Sequence, residues 1–379
     1  MATDPLGDMV LSFSLDLYKQ LVSQNDHSGN IFYSPFSISA ALSMTLAGAR
    51  NNTAKELSAV LHVNSDEIHN QFLKVLANLR ASSDNVKLHI ANRIYAEATI
   101  PDLDSYQCLI QGSYGTTIES IDFRNDYENT RHKINAWVEE VTESKITGLL
   151  PRGSLSDFTT MVLVNAIYMK GYWKSPFDPS ETHRSHFYLN SKNKKEVDMM
   201  YRRQAYKMCN DEELGIAAVE VPYRGDIASM VVLLPNDVEG LSRLEELLTA
   251  PKLANLLKTL RSSIDVELYL PKFKLEQTVG LNGTLQAMGI KDLFTSKADL
   301  SAVTDRKSFA ASEVIHKAFV EIDEEGTEAA AATAVTVVDG CMPRAQQVTY
   351  KFVADRPFMF LIRSHDPEVV LFIGSVREL

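Results

Sequence analysis

The chain has 379 residues, of which 45% are hydrophobic and 23% charged, with 17 glycines and 13 prolines. This composition is typical of a folded globular protein and excludes the collagen-like, disordered and disulfide-scaffold classes. Its 38 basic and 49 acidic side chains give a net charge of −11, which argues against a nucleic-acid-binding role because phosphate contacts need a concentrated positive surface.

Neither a membrane span nor a leader is visible in the sequence. No apolar run approaches the ~18 residues of a membrane helix, and the first residues lack the basic and apolar regions of a secretory signal. We therefore expect no membrane partner, and a leader that is absent or already removed. Three cysteines, Cys108, Cys209 and Cys341, leave at least one thiol unpaired, which fits a reduced compartment or a secreted chain with a spare thiol.

Helical periodicity dominates the first third of the chain. Four helices are predicted, over 10–22, 34–48, 68–79 and 134–146. The second has the clearest start, because Ser34 is a good N-cap and Pro35 suits the first helical position, and Gly48 closes its apolar run. Gly148 supplies a stop for the fourth.

From Met161 onward the pattern changes to strands. The first run is too apolar for an exposed strand, so we expect a buried sheet to begin there. A helical stretch is predicted over 241–260, and strands over 161–164, 167–168, 216–221, 229–234, 266–270, 319–322, 358–362 and 369–373. Helices first and strands afterwards indicate an α+β protein, and without a linker or repeat we expect a single domain over 1–379.

One segment has a divided conformational preference. Residues 324–338 begin as a helix-forming alanine tract and end as a strand-forming valine and threonine tract. Residues 339–347 then read as exposed loop. These roughly twenty residues are too polar and too small-sided for a fixed core, and such long loops in compact domains are usually functional.

The sequence offers no recognisable enzyme chemistry. It lacks the dinucleotide fingerprint, the phosphate-binding loop, the nucleophile elbow, the zinc-protease motif and the Cys-x-x-Cys motif. We interpret the pair His183 and His186 as part of a solvated turn rather than a metal site. His316, in an apolar strand, is interpreted as a hydrogen-bonded core histidine rather than a catalytic base. The basic cluster around Lys194 is interpreted as a solvated hairpin.

Four separated motifs together resemble the serpin family over essentially the whole chain. The first resembles the family's second-helix opening, the next its central-strand motif, and the last two its C-terminal signature. They lie, in order, at Asn30–Ile38, Val164–Trp173, Phe352–Phe360 and Leu371–Gly374. Agreement of four motifs in the right order is far more specific than a match to any one of them.

The resemblance implies both a fold and a mechanism. The fold would have three β-sheets, eight or nine helices and an exposed reactive-centre loop, here about 324–347. In the mechanism, a serine protease attacks the loop, and after acylation the loop inserts as an extra strand into the central sheet and distorts the enzyme. The resemblance thus implies a monomeric suicide inhibitor of serine proteases without a cofactor.

The residues at the start of the loop match the hinge of inhibitory members. A segment that becomes a buried strand cannot carry bulky or charged side chains where the sheet closes over it, and Glu328 should alternate to the outer face. Gly326 gives the hinge free dihedral choice and Thr327 is small and strand-favouring. Glu324 marks the loop base, and small residues follow at Ala329, Ala330, Ala331 and Ala332. Many non-inhibitory relatives carry proline or charge there, and a non-inhibitory carrier, chaperone or storage form is the alternative.

Two further control regions carry over from the family. The shutter, a hydrogen-bonded cluster beneath the strands that must part, corresponds to Ser34, Ser37, Asn165 and His316. The breach, where insertion begins, corresponds to Trp173, Lys272 and Glu324, with an ion pair between the last two. A half-buried pair of this kind would leave an unpaired charge if one partner were lost.

The scissile bond has two candidates. Counting the usual seventeen residues from Glu324 places it at Gly340–Cys341. Arg344–Ala345 would instead suit a trypsin-like enzyme, whose acidic pocket binds a guanidinium. The sequence therefore leaves a trypsin-like and an elastase-like target open.

Other expectations concern location and modification. Asn51 and Asn282 lie in sequons and are candidate glycosylation sites. Glycosaminoglycan control is not expected, because 66–85 carries only Lys74 and Arg80 as cations.

The alanine-rich hinge with arginine and cysteine nearby resembles salivary serpins of blood-feeding arthropods. This implies a secreted protein, with a cytoplasmic one as the alternative.

Overall fold

The computed structural model describes residues 5–65, 67–81, 86–99, 104–260, 263–305, 309–327 and 349–379. Nine α-helices lie in these ranges: α1 Pro5–Gln24, α2 Pro35–Gly48, α3 Asn51–Val60, α4 Ile68–Ala81, α5 Asp104–Tyr114, α6 Phe123–Val141, α7 Leu241–Leu247, α8 Ala250–Thr259 and α9 Asn282–Met288. No helix among the described residues is long and apolar enough to cross a membrane.

Fifteen strands are distributed over the same ranges: β1 Ile31–Tyr33, β2 Val86–Glu97, β3 Ile118–Ile121, β4 Met161–Tyr172, β5 His183–Tyr188, β6 Lys194–Asp211, β7 Ile216–Pro222, β8 Ala228–Pro235, β9 Ser263–Pro271, β10 Phe273–Gly280, β11 Glu313–Ile322, β12 Gly326–Thr327, β13 Tyr350–Val353, β14 Phe358–His365 and β15 Glu368–Val376. The predicted α+β class is confirmed.

Hydrogen bonding joins the strands into two sheets. The six-stranded sheet has the order β10-β11-β12-β4-β2-β3, and the nine-stranded sheet has the order β1-β15-β14-β8-β7-β6-β9-β13, with β5 paired to β6. Two of the three expected sheets are continuous here because β6 belongs to both. Its first residues pair with β5, its middle with β9, and its last five with β7.

Strand β4 is buried on both faces, which explains its uninterrupted apolar sequence. Because side chains alternate along a strand, Leu163 and Ile167 face the main core between the sheets and the helices. Val164 and Tyr168 face a second core, which the six-stranded sheet forms with α6 and the segment that follows it. The sheet is therefore sandwiched between two apolar layers.

Helix α2 begins as the sequence predicts. The Ser34 side chain accepts a hydrogen bond from Ser37 N at 3.1 Å and Pro35 occupies the first turn. The helix is buried on almost every side, which is why its apolar residues show no single stripe. It lies beneath β4, and two of the polar residues described below are its N-cap Ser34 and Ser37 in its first turn.

Three helix predictions have wrong boundaries. The helix expected over 10–22 is α1, which begins at Pro5 and ends at Gln24. The helix expected over 134–146 is α6, which begins eleven residues earlier and ends at Val141. Its polar first half lacks the apolar repeat on which the prediction depended, and its end is set by Glu143 and Ser144, which adopt left-handed φ values of 50° and 62°. The stretch predicted over 241–260 is two helices, because Pro251 at the start of α8 cannot continue α7.

The polar region around Lys194 is a hairpin, as predicted. It joins β5 to β6, and its basic side chains are exposed. The turn predicted at His183 and His186 is wrong, because both lie on strand β5. Among the described residues no group of three or more histidine, cysteine or acidic side chains could hold a metal ion.

Candidate functional site

Strands β11 and β4 pair in parallel and then part. Their direct pairing runs from Glu313 opposite Val162 to Phe319 opposite Tyr168. Beyond this point the two-residue strand β12 lies between them and pairs antiparallel to both, with Thr327 opposite Ile322 on one side and Gly171 on the other. The start of the predicted hinge therefore already occupies the opening between the central strands.

A tight turn brings the chain back from β11 into this opening. The Asp323 carboxylate accepts hydrogen bonds from Glu325 N at 2.9 Å and Gly326 N at 3.1 Å, a common role of aspartate in turns. Gly326 has a φ of +152°, and a Cβ there would lie 2.1 Å from the Gly171 carbonyl oxygen. Only glycine fits at this position, which was singled out from the sequence.

Thr327 is fully buried beside the same strand. Its Oγ1 shares a 2.7 Å hydrogen bond with the Tyr223 hydroxyl. Burial raises the pKa of Tyr223 far above its ordinary value, so the phenol stays neutral and keeps its hydrogen. A small hydroxyl side chain is therefore matched to a polar partner inside an apolar site.

Trp173 covers the end of the opening that lies next to the turn. It is fully buried, and its Nε1 donates a 2.9 Å hydrogen bond to the Asp323 carbonyl oxygen. Its backbone N donates to the Glu325 carbonyl oxygen at 2.8 Å. The indole stacks on the Tyr223 ring with centroids 4.6 Å apart. One aromatic stack thus contacts the turn, the hinge and the end of β4.

Glu324 and Lys272 form the ion pair that the resemblance implies, with Nζ 2.7 Å from Oε2. The other carboxylate oxygen accepts a 2.8 Å hydrogen bond from Thr182. Burial opposes ionisation of Glu324, but the hydrogen bonds from Lys272 and Thr182 outweigh it and lower the pKa of the carboxyl. For Lys272, likewise, burial is outweighed by Glu324 and the pKa is raised.

The loop base is not exposed, contrary to the expectation of an exposed loop over 324–347. Glu324, Gly326 and Thr327 are all buried, because they lie against Trp173 and within the six-stranded sheet. The alanine tract 329–332 and both candidate bonds, Gly340–Cys341 and Arg344–Ala345, lie outside the described residues.

The four predicted shutter residues lie together at the closed part of the sheet, two on its strands and two at the start of α2. His316 and Asn165 stand opposite each other across β11 and β4, and His316 Nδ1 hydrogen bonds to Asn165 Oδ1. Asn165 Nδ2 donates to the Ser37 hydroxyl at 2.7 Å. Ser34 N donates to His316 Nε2 at 3.1 Å. The network therefore connects helix α2 to both central strands.

These contacts define the state of His316. Since Ser34 N–H donates to Nε2, that nitrogen carries no hydrogen, and Nδ1–H donates to Asn165. The side chain is fully buried, and burial lowers the pKa of His316 to about 3. A neutral imidazole is thus required, which matches the prediction of a hydrogen-bonded core histidine.

Sequence reasoning missed several residues of this site. Asn92 on β2 accepts from Asn165 at 2.5 Å and from the Ser37 hydroxyl at 3.0 Å. Tyr223 and Thr182 contact Thr327 and Glu324 from distant parts of the chain. No local pattern marks them, because the strand that carries Asn92 also carries Lys87, His89, Arg93 and Glu97, so one more polar residue does not stand out.

The remaining predicted residues lie away from this site. Asn51 is exposed, and its amide donates to Asp299 at 2.7 Å. Asn282 is half-buried, and both ends of its amide are bonded, to the Ser312 carbonyl oxygen and to Val314 N. Cys108 is exposed and Cys209 is half-buried, and both are free thiols. Cys341 lies outside the described ranges.

Comparison with known proteins gives a consistent result. The family model "Serpin (serine protease inhibitor)" matches residues 9–379. The chain is 54% identical to Iris of Ixodes ricinus over 375 residues, covering 99% of both chains. It is 42% identical to human leukocyte elastase inhibitor over 369 residues, covering 96% of both.

Solved structures agree with this family. Uncleaved ovalbumin is similar with a TM-score of 0.89 at 30% identity, covering 99% of this chain and 100% of the other. Human thyroxine-binding globulin complexed with thyroxine is similar with a TM-score of 0.89 at 30% identity, covering 99% of both chains.

Replacing Lys272 tests the ion pair at the loop base. Lys272→Met keeps the apolar stem and leaves Glu324 with Thr182 as its remaining side-chain donor. The Lys272 side chain is 38% exposed and that of Glu324 only 12%. We therefore expect the free energy of unfolding to fall by about 1–2 kcal/mol, which lies between the values for surface and buried ion pairs. The measurement is the urea midpoint of unfolding.

The control for this variant is Lys87→Met. Lys87 pairs with Glu143, and both side chains are about half exposed, so its loss should cost at most about 0.5 kcal/mol. Equal midpoints for the two variants would show that the Lys272 pair has no special role.

The buried imidazole predicts a pH dependence of stability. Between pH 6.5 and about 3, the unfolded chain binds a proton at His316 that the folded chain excludes. The free energy of unfolding should therefore fall as the pH is lowered through this window, by up to about 1.4 kcal/mol per pH unit. His316→Gln should show a correspondingly shallower slope in urea midpoints.

His186→Gln is the matched control, since His186 is an exposed histidine on β5. It should retain the slope of the unmodified protein. If His316→Gln and the unmodified protein lose stability in parallel, His316 does not titrate as its burial requires.

Proposed function

The chain belongs to the serpin family, a family of protease inhibitors rather than enzymes, and on this premise we propose that it is an irreversible suicide-substrate inhibitor of serine proteases. The observation that carries the proposal is the position of Gly326 and Thr327 between β11 and β4. The chain that continues from them is rich in alanine and threonine and can follow the same path.

The proposed reaction begins as ordinary proteolysis. The protease serine attacks a loop carbonyl carbon in 328–348, an acyl ester forms, and the amine of the C-terminal portion leaves with the proton. The released N-terminal portion stays attached at Thr327. It can then extend between β11 and β4 and carry the esterified protease with it before water hydrolyses the ester.

Hydrogen bonding favours this insertion. The closed part of the sheet contains one parallel ladder, from Glu313 opposite Val162 to Phe319 opposite Tyr168. An inserted strand that continues β12 replaces it with two antiparallel ladders, a geometry that is slightly more stable per residue. The uncleaved chain is thus held in a higher free-energy state, and its stability is kinetic.

Side-chain size limits which segment can insert. Because side chains alternate, Ala329 and Ala331 would follow Thr327 toward the main core, and Ala330 and Ala332 would face α6. Both sides of β4 are already densely packed. Because alanine side chains are small, their insertion displaces the side chains of these two layers least.

The shutter contacts would set the resistance to opening. The hydrogen bond between His316 and Asn165 crosses the boundary that the new strand must enter. Adjacent strands lie about 4.8 Å apart, so one inserted strand separates the pair far beyond hydrogen-bond distance. We therefore assign a gating role to this network.

A non-inhibitory carrier is the second candidate. Its support is the likeness to thyroxine-binding globulin, whose structure contains bound thyroxine. For a non-inhibitory carrier we expect the loop to be cut without forming a trapped complex, so the two candidates differ in a single measurement.

We also propose that the protein acts outside the cell. The chain is 54% and 53% identical to two proteins from Ixodes ticks, and exposed Asn51 is the better placed of the two candidate glycosylation sites. Intact mass analysis of protein from its natural source should show a glycan, removable by an amidase, at Asn51. A chain without glycan and found in cell lysate would support the cytoplasmic alternative.

A protease panel tests the proposed inhibition. On mixing with trypsin-, chymotrypsin- and elastase-like enzymes, at least one should form an adduct that survives boiling in SDS, because the acyl ester is trapped. The mass of the released C-terminal fragment distinguishes cleavage at Gly340–Cys341 from cleavage at Arg344–Ala345. Cleavage by every enzyme without any adduct would favour the carrier.

Replacing Thr327 tests strand insertion itself. Thr327→Arg places a charged side chain in a fully buried site that offers it no acidic partner among the contacts of Thr327. We expect the loop to be cut at the normal rate while the SDS-stable adduct is lost. Thr295→Arg, at an exposed position, should form the adduct normally, and full inhibition by Thr327→Arg would contradict the insertion argument.

A further inference from the structure

The hairpin between β7 and β8 carries the tripeptide Arg224-Gly225-Asp226 at its tip. All three residues are exposed. The two strands below them are almost completely buried and pair from Ile216 opposite Pro235 to Pro222 opposite Ser229. The tripeptide is therefore presented to solvent by a rigid support.

The tip has a defined backbone conformation. Gly225 and Asp226 both adopt left-handed φ values, of 83° and 55°, as tight hairpin turns require. Asp226 N donates to the Tyr223 carbonyl oxygen at 3.2 Å, and Tyr223 N donates to the Ala228 carbonyl oxygen at 3.0 Å. A partner would meet an ordered turn, which lowers the entropy cost of binding.

The base of the hairpin is fixed to the interior. Tyr223 is fully buried and stacks on Trp173, with ring centroids 4.6 Å apart. Lys174 N also donates to the Pro222 carbonyl oxygen at 2.9 Å. The conformation of the tip thus depends on its base and not on the side chains of Arg224 and Asp226.

Both charged side chains of the tip have weak partners. Asp226 pairs with Lys174 at 2.6 Å, but the two side chains are 60% and 53% exposed, and such pairs contribute about 0–1 kcal/mol. The Arg224 guanidinium carbon lies 5.5 Å from the centre of the Tyr172 ring, an exposed contact worth about 0.5–1 kcal/mol. A partner with stronger complementary groups can displace both.

We propose that this tip is a binding site for a cell-surface receptor of the integrin class, which recognises Arg-Gly-Asp. A divalent cation held by the receptor would bind the Asp226 carboxylate, since such hard cations prefer oxygen ligands. An acidic pocket of the receptor would bind the Arg224 guanidinium, which forms paired hydrogen bonds with carboxylates. Gly225 has no side chain, so the receptor backbone can approach the turn closely.

This activity is separate from the proposed protease inhibition. The insertion mechanism uses β11, β12, β4 and the residues that follow Thr327, and it needs no side-chain contact of Arg224 or Asp226. The fold constrains the backbone at 225 and 226 but not the charge at 224 and 226. Neither the fold nor the proposed inhibition therefore needs the positive charge of Arg224 or the negative charge of Asp226.

The test is binding of the full-length protein to a purified integrin ectodomain that recognises Arg-Gly-Asp peptides, measured by surface plasmon resonance in Mn²⁺ and in EDTA. We expect binding in Mn²⁺ that is abolished by EDTA and by the soluble peptide Gly-Arg-Gly-Asp-Ser. Asp226→Glu keeps the charge but displaces the carboxylate by one methylene. It should weaken binding at least about tenfold, or about 1.4 kcal/mol.

Two further variants complete the design. Asp157→Glu makes the same change at another exposed position and should bind as the unmodified protein does. Arg224→Lys keeps the charge without the paired donors and should weaken binding severalfold. The melting temperature and the yield of the protease adduct should be unchanged in Asp226→Glu, Asp157→Glu and Arg224→Lys. Equal binding in Mn²⁺ and EDTA, or full binding by Asp226→Glu, would overturn the proposal, whatever the outcome of the adduct assay.

Discussion

The structure depends on an unfinished pairing between two buried strands. Over seven residue pairs β11 and β4 bond directly to each other, and beyond Phe319 and Tyr168 they separate far enough to admit β12. Both strands are covered on two faces, so their backbone groups have no access to water in the closed part. Parting them must therefore be compensated at once by another strand, and within the part of the chain that the structure describes the strand that begins in the opening is the one that starts at Gly326.

Both ends of this pair carry directional hydrogen bonds, and the open end adds aromatic stacking and an ion pair. At the open end, a hydrogen bond from Trp173 to the Asp323 carbonyl oxygen, the stack of Trp173 on Tyr223 and the ion pair of Glu324 with Lys272 hold the turn in place. At the closed end, directional hydrogen bonds link Asn165, His316 and Ser37. Hydrogen bonds are lost within a fraction of an ångström beyond their normal range, whereas apolar contacts can re-form after a shift. On the proposed mechanism, these hydrogen bonds would resist the first parting of the strands, and the apolar layers would accommodate the inserted strand.

Local chemistry explains why much of this site was predictable. The start of α2, the glycine that fits against Gly171 and the small hydroxyl of Thr327 each obey a rule that acts within a few residues of sequence. The residues that contact these positions from elsewhere in the chain cannot be predicted by such rules. Tyr223 and Asn92 contribute one side chain each from distant strands, and only the folded sheet brings them to Thr327 and Asn165. The buried loop base was missed for a related reason, because its burial depends on Trp173. Helix α6 was misplaced because residues of left-handed φ at 143 and 144, neither of them glycine, end it.

Tyr223 belongs to both proposed functions. Its hydroxyl contacts Thr327, its ring stacks on Trp173, and its backbone begins the turn that presents Arg224 and Asp226. The segment that a protease would cut starts at Thr327, so the receptor-binding tip and the start of that segment are connected through one buried side chain. An inhibitor held at a cell surface meets the proteases of that surface at a higher effective concentration than a freely diffusing one. On the two proposals, each molecule is consumed in a single reaction, and localisation would increase the fraction spent on the proteases near its receptor without any change in the chemistry of the loop.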